Sequence, residues 1–554
     1  MIARLPVHLA FALALVLTGC SRSEKPVAPD APALENPGNP VQGDWVIERI
    51  SGDTDSLNPL IGEDTNGKMI SAMITEGMLQ MDNFTLRLKP CLAESYEISA
   101  DQFTYTFHLR KGVKWHDGEP FTAADVKFSY DRLQDPAVDA APTRSYFTNI
   151  KSCEMLDDYT IRFTATERYF KTLEVLGTYL LILPKHVFEK DKSDFNKHRF
   201  GRNPIGTGPY KFVRWDTGER IIVERNDNYW AGPIYYPKRL IFEIIEEPYI
   251  AAQLLKKGEI DAFNQVSPIQ WEHDLKNSRS MKHLHEIVYP YPAYYYLGFN
   301  LRNPLFTDIR TRHAIDLLMP RDEIISQIYL NQYASKASGY DPPDAPSYNH
   351  EVLPTPYDPK LALQLLHEAG WKDDHGDGIL YRNGQRFEFT LLYPSGNPSS
   401  QKMVELIQES LRRAGIDLKL SRLEFAQLIA RVNDWKFEAS LQGWSLDIDG
   451  DPSQIWSSAG ADEKKSSNFI GYKSAEADKL MAEAKLEYDP DKRAAIYRRL
   501  HRVIHDDYPV CFLINIKQIL VISNRYQNVK TFTPRPCFDI MSWWVPLSQQ
   551  KYKN

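Results

Sequence analysis

Cysteine is scarce: the 554 residues include five, and no two are spaced C-x-x-C. That removes the paired-thiol framework on which local zinc or dithiol chemistry is built. The 14 histidines are scattered and never form H-E-x-x-H. There is also no G-x-S-x-G, no phosphate-binding P-loop and no G-x-G-x-x-G. No local signature of a metalloprotease, serine hydrolase, nucleotide hydrolase or dinucleotide enzyme is therefore present. A triad assembled in space from scattered groups stays open, but the expectation is that the protein is not an enzyme. Positive charge is short as well. With a net charge of -7 and no dense Lys/Arg tract, the chain carries no nucleic-acid footprint. Beyond the first twenty residues no stretch is apolar enough to cross a membrane, and nothing repeats at a fixed period. What is present, 43% hydrophobic and 25% charged residues, is the composition of a soluble globular protein. A chain of 554 residues exceeds what one core organises, so two or three compact units are expected.

The N-terminus is the first informative segment. Arg4 precedes an apolar run over residues 7–17, broken mildly by His8 and followed by Leu17-Thr18-Gly19-Cys20. The run is too short for a permanent span and reads as an export signal. Its end resembles the lipobox of bacterial lipoprotein signal peptides, with small residues admitting a peptidase and the Cys20 thiol carrying the lipid. An uncleaved signal or an ordinary buried thiol is the alternative. Residues 20–43, rich in Pro, Ala, Asn and Glu without apolar period, cannot offset their ordering entropy and form a tether. A periplasmic or cell-surface, membrane-anchored protein follows as the expectation. Export permits disulfides among Cys91, Cys153, Cys511 and Cys537. Cys91–Cys153, near two predicted hairpins of the same half, is the preferred pair, with Cys511–Cys537 the other and four buried thiols the alternative.

Along the body, a strand over 45–50 leads through a turn-rich loop to a helix predicted over 68–79. Hairpins follow over 92–109, around Asp157-Asp158, and over 210–225. Phe103, Tyr105, Phe107 and Leu109 alternate with Thr104, Thr106 and His108, the pattern of a half-buried strand. Later, a strand (387–393), a helix (399–414) stopped by Gly415 and a strand (417–423) form a βαβ unit with parallel pairing. Helices are predicted over 250–257, 358–369 and 491–504. This mixture gives α/β lobes, with the chain crossing between them near 294–300 and 508–516.

Residues 113–133 read VKWHDGEPFTAADVKFSYDRL. Locally, Thr122 with Asp125 three residues on is a capping-box pattern. As a whole, after TYTFHLRKG (104–112), the string resembles the signature of family 5 bacterial extracellular solute-binding proteins, the receptors of ABC-type peptide and nickel importers. NPIGTGPYKF (203–212), RNDNYW (225–230), YDP (357–359) with LLHEAGW (365–371), and GWSLDIDGDP (443–452) agree with that family in order. The resemblance implies a bilobal type 2 periplasmic-binding-protein fold with an extra subdomain in the first lobe. Lobe 1 would comprise 44–295 plus 513–554, with the inserted subdomain at about 75–200, and lobe 2 would comprise 296–512.

It also implies the site. In peptide-binding members an Asp three residues after the motif's Trp pairs with the ligand's α-ammonium, and Trp444 to Asp447 has that spacing. An enclosed cation loses water and needs a fixed anion. The alternative is a solvated acidic turn or small calcium loop of Asp447, Asp449 and Asp451, although no bidentate Glu is in place. Trp444 would shape a side-chain pocket or fill a core. Tyr294 and Tyr295 would face the cleft or pack within a hinge strand. The loop over 53–57, including Thr54, aligns with a family segment giving backbone contacts. Some oligopeptide binders carry a basic residue three positions before the Trp, where this chain has Leu441, so no fixed partner for a ligand carboxylate is implied there. DDHGDG (373–378) has Gly384 at its twelfth position and reads as a turn rather than a calcium loop. The expected partners are a peptide, an ABC permease and, through Cys20, the membrane; no cofactor, metal or nucleic acid is expected, and a monomer is. Oligosaccharide, nickel chelate or haem are the alternative ligands, and peptide sensing or chaperoning the alternative role.

Overall fold

The computed structural model describes residues 39–62, 64–395, 398–446 and 450–552. Cys20 and Asp447 lie outside the described residues. Among them no helix is long and apolar enough to cross a membrane.

One mixed sheet of eleven strands forms the backbone of the body. Its order is Asp417–Leu423, Glu388–Pro394, Ala439–Ser445, Leu284–Phe299, Val510–Ser523, Ala262–Phe263, Trp45–Ile50, Arg239–Ile244, Arg220–Arg225 and Tyr210–Asp216, with Ala334–Lys336 pairing Val510–Ser523 off this path. Two of these strands, Leu284–Phe299 and Val510–Ser523, are long enough to serve both halves. They pair antiparallel from Leu284↔Ser523 to Gly298↔Val510, and the register slips between Pro290 and Tyr294. The slip divides a first half, built on Trp45–Ile50 and its neighbours, from a second half built on the βαβ unit. In that unit Glu388–Pro394 and Asp417–Leu423 are parallel and joined by the helix Pro398–Arg413.

A second sheet, Ala93–Ile98, Thr104–Leu109, Thr160–Ala165 and Ile150–Asp157 in that order, forms an inserted subdomain. Its alternation is the one the sequence carries: Tyr105, Phe107 and Leu109 are buried while Thr104, Thr106 and His108 are half-buried. Ile161 and Phe163 meet them from the neighbouring strand. Helix Ala123–Gln134 closes this core and has both capping-box bonds, the Thr122 side chain accepting from the Asp125 N–H and Asp125 Oδ2 accepting from the Thr122 N–H, and Thr122 Oγ1 also accepts the Ala124 N–H.

Some elements depart from the sequence reading. The helix predicted over 68–79 runs Thr65–Ile74, because Asp64 caps it by accepting the Gly67 N–H at 2.7 Å. Leu79–Met81 is instead a strand paired with Leu88–Pro90. The last long helix runs Pro490–Asp507, capped by Asp489 and ended at Tyr508, which has φ 48°. The preferred Cys91–Cys153 bridge is not formed, and all four described cysteines are free and buried. The Cys91 thiol is spent on Glu76, at 3.4 Å, whereas Cys153 lies in register with Phe163 within the small sheet. Cys511 and Cys537 belong to different cores. In DDHGDG the Asp373 carboxylate accepts the Gly376 and Gly378 amides, which makes a turn.

Four cores result. The subdomain has its own, around Phe107, Phe121, Phe163 and Leu176. On one face of the large sheet the first half packs Val46, Ile74, Tyr210 and Trp543, and the second half packs Tyr294, Trp456, Leu500 and Phe512. On the opposite face a single core joins residues of both halves, from Ile47 and Phe263 to Phe306 and Leu391.

Candidate functional site

Strand direction points to a candidate site. Trp45–Ile50 and Arg239–Ile244 are parallel, while Val510–Ser523 runs antiparallel to Ala262–Phe263, which is parallel to Trp45–Ile50. The C-terminal ends of the first half's strands therefore point to the register slip. In the second half, Ala439–Ser445 is antiparallel to Leu284–Phe299 and parallel to Glu388–Pro394. Its C-terminal end points to the same slip from the other side. Ligands of α/β sheets bind outside the carboxyl ends of strands, and here two sets of such ends face one another across the crossing strands.

On the second half's side, Tyr294 stands in register with Trp444 on the next strand. The Tyr294 ring packs 5.6 Å from Tyr296 and 5.5 Å from Phe512, and its buried hydroxyl has no hydrogen-bond partner among the described residues. Burial, then Tyr296 and Asp341, push its phenol up. Trp444 is half-buried and stacks 6.4 Å from Phe469. Beyond Ser440 the strand Ala439–Ser445 has no pairing to Glu388–Pro394, whose register with it ends at Leu392↔Ser440. Its outer edge thus runs unpaired, among the described residues, toward the GWSLDIDGDP loop. Tyr295 projects to the opposite face, packed against the core shared by both halves. Leu441 is buried in that same core, in register with Leu297. Asp447, the proposed anion, lies outside the described residues.

On the first half's side, the loop after Trp45–Ile50 is tied down by its own side chains. Thr54 Oγ1 donates to the Asp64 carboxylate. Asp53 accepts the Trp215 indole N–H at 2.9 Å and the Gly218 N–H at 2.8 Å. The Thr54 side chain therefore orders the loop. The structure brings Trp444 and Tyr294 together, places Thr54 on the facing loop and turns Tyr295 away.

Groups that carried no motif also gather here. Tyr169, from the inserted subdomain, faces the Asp451 carboxylate and Tyr497; burial and then Asp451 push its phenol up. Asp451, read from the sequence as a turn former, does accept the Ser453 N–H at 2.9 Å. Its reach to another unit was invisible in the sequence, because 166–170 has no periodicity and no turn chemistry to mark it.

A buried carboxylate supports the subdomain beneath. Glu76 accepts Thr207 Oγ1 at 2.8 Å, Tyr229 Oη at 2.6 Å and Trp230 Nε1 at 2.9 Å. It thereby ties the NPIGTGPYKF and RNDNYW segments to the helix Thr65–Ile74. Burial pushes this carboxyl up, and the donors oppose the shift.

The sequence profile described as "Bacterial extracellular solute-binding proteins, family 5 Middle" matches residues 87–466. The oligopeptide-binding protein AppA of Bacillus subtilis (strain 168) is 31% identical over 541 residues, covering 96% of this chain and 97% of its own. The solved structure of that Bacillus subtilis protein in complex with a nonapeptide matches with a TM-score of 0.75 at 30% identity, over 92% of this chain and 100% of the other. The periplasmic binding protein DppA of Helicobacter pylori, in complex with the peptide STSA, matches with a TM-score of 0.75 at 29% identity, over 91% and 98%. The α/β, bilobal periplasmic-binding architecture is common to all of them.

Proposed function

This chain belongs to family 5 of the bacterial extracellular solute-binding proteins, and from that premise we propose that it captures peptides between the two halves of its large sheet and delivers them to an ABC transporter permease. The observation that carries this reading is the similarity, over nearly the whole chain, to an oligopeptide-binding protein solved with a nonapeptide. The local geometry supports it. An extended peptide can add itself to an unpaired strand edge, taking main-chain bonds for affinity and side-chain pockets for selectivity, and the edge beyond Ser440 is placed for this. Asp447 receives the peptide's α-ammonium, Trp444 and Tyr294 wall the adjoining pocket, and the loop held by Thr54 offers backbone groups from the first half. Tyr295 acts from the other face by fixing the crossing strand. Cys20 carries the lipid and residues 20–43 the tether, which together hold the receptor at the membrane.

Native mass spectrometry of the purified protein, then denaturation, identifies the co-purified molecule. Peptides are expected, and a chelate, haem or glycan would redirect the reading. Calorimetry of Asp447→Asn then tests the anion. Removing one partner of an enclosed ion pair costs about 3–5 kcal/mol, or roughly two to three decades of affinity. An unchanged Kd for a peptide with a free amino terminus removes Asp447 from the site.

A further inference from the structure

Residues 166–170 leave the small sheet after Thr160–Ala165 and touch the second half at two consecutive helices, Ala475–Lys485 and Pro490–Asp507. The Phe170 N–H donates to the Lys485 carbonyl at 3.1 Å. Lys485 is the last residue of its helix, so this carbonyl is one that the helix itself cannot satisfy. Lys485 Nζ pairs with Glu167 at 2.9 Å, both side chains being partly exposed. The Arg493 guanidinium lies 4.0 Å from the Phe170 ring centre, and the Lys485 ammonium 5.4 Å from that of Tyr169.

Three properties mark these contacts. They join the inserted subdomain, carried by the first half, to helices of the second. None uses Trp444, Tyr294 or the unpaired strand edge, although Tyr169 of the same segment also faces Asp451. And the part made by the exposed Glu167–Lys485 ion pair and the helix-end carbonyl breaks into water at little cost, while the buried Arg493 seats the Phe170 ring.

We propose that residues 166–170 form a reversible clasp that draws the two halves together independently of cargo and so sets how long a captured solute is retained. This rests on the reading that solute enters between the halves. It places part of the closing free energy in contacts of the inserted subdomain that use none of the residues proposed to hold the peptide, and makes Glu167, Phe170, Lys485 and Arg493 positioning residues for retention.

Spin labels on genetically encoded ketone residues replacing the exposed Lys192 and Lys479 report the separation of the subdomain from the second half by pulsed electron resonance. In the full-length protein freed of bound solute, Glu167→Lys with Phe170→Ala is expected to lower the ratio of closed to open distances about tenfold, equivalent to about 1.4 kcal/mol. Glu167→Lys alone should shift the ratio in the same direction, and combining it with Lys485→Glu should restore it, a recovery that general misfolding would not produce. Distance distributions identical in wild type and all variants overturn the clasp. Peptide binding is scored separately by calorimetry. A wild type that binds no peptide strikes the proposed function, while the clasp is still decided by the distances.

Discussion

Glu48 offers a direct test of how the first half is built. It lies mid-strand in Trp45–Ile50, 2% exposed, on the same face as Val46 and Ile50. Its Oε2 meets no hydrogen-bond partner among the described residues. Burial alone pushes the carboxyl from 4.5 up to about 8. The folded chain therefore holds this proton more tightly than the unfolded chain does. Below pH 4.5 both states are protonated and the group costs nothing; as pH rises the unfolded state ionises first, and the cost of folding grows until about pH 8. Each decade between the two proton affinities is worth about 1.4 kcal/mol, giving roughly 3 kcal/mol at pH 7 and an upper bound near 5 kcal/mol above pH 8. Glu48→Gln keeps the shape and removes the titration. Urea denaturation followed by tryptophan fluorescence should show variant and wild type nearly equal at pH 5. At pH 8 the variant should be the more stable by several kcal/mol. Parallel stability curves from pH 5 to 8 would refute the argument, because a group that does not change its charge across the folding transition contributes no slope.

Two histidines titrate on the acid side. His116 accepts the Gly206 N–H and donates to the Gly208 carbonyl at 2.9 Å, His501 accepts the Asn349 N–H at 3.2 Å, and burial pushes both from 6.5 down to about 4. Their contribution is complete above pH 6.5 and is lost as pH falls toward 4, up to about 3 kcal/mol each; His116→Gln should flatten that acid limb in a pH series of melting midpoints. Gly206→Ala should prevent folding or cost more than about 4 kcal/mol, since an added Cβ would stand 1.7 Å from the Ile74 carbonyl oxygen; soluble yield and circular dichroism check this. Arg525→Leu leaves Asp44 and Asp261 buried without their shared guanidinium and should lower stability by about 3–5 kcal/mol, read by denaturant midpoint.

Much of the fold was legible because period and caps agree. The strand Thr104–Leu109, the Thr122 capping box, the helix Pro248–Lys257 closed by Gly258 at φ 74° and the βαβ unit after residue 387 all carry local signals that tertiary packing did not override. The helix start at Thr65 was missed because Asp64 sits in a run of turn formers, where one more Asp carries no distinguishing mark. Cysteine pairing was misjudged because shared membership of one half says nothing of which sheet face a thiol occupies. The candidate site was legible only where a motif marks it. Trp444 is signposted by GWSLDIDGDP, whereas Tyr169 and Phe170 matter through contact with helices more than 300 positions away in sequence, which no local pattern encodes.

The arrangement of cores gives these contacts a mechanical meaning. One face of the large sheet is covered by a single core that runs without a break from the first half to the second, and close packing there resists separation, because each buried side chain pulled apart re-exposes its apolar surface to water. The other face carries two separate cores, one for each half. Between them lie the slip in strand register at Pro290–Tyr294, the unpaired strand edge and the clasp. Bending about the crossing strands therefore costs little on the divided face and much on the continuous one. The halves are expected to part by opening the divided face while the continuous core acts as the fulcrum. That places Leu284–Phe299 and Val510–Ser523 at the axis, where small dihedral changes suffice, and residues 166–170 on the moving side. A contact on the moving side works against the opening torque, so the Phe170–Lys485 hydrogen bond, the Glu167–Lys485 ion pair and the two cation–π contacts there bear directly on how readily the divided face opens.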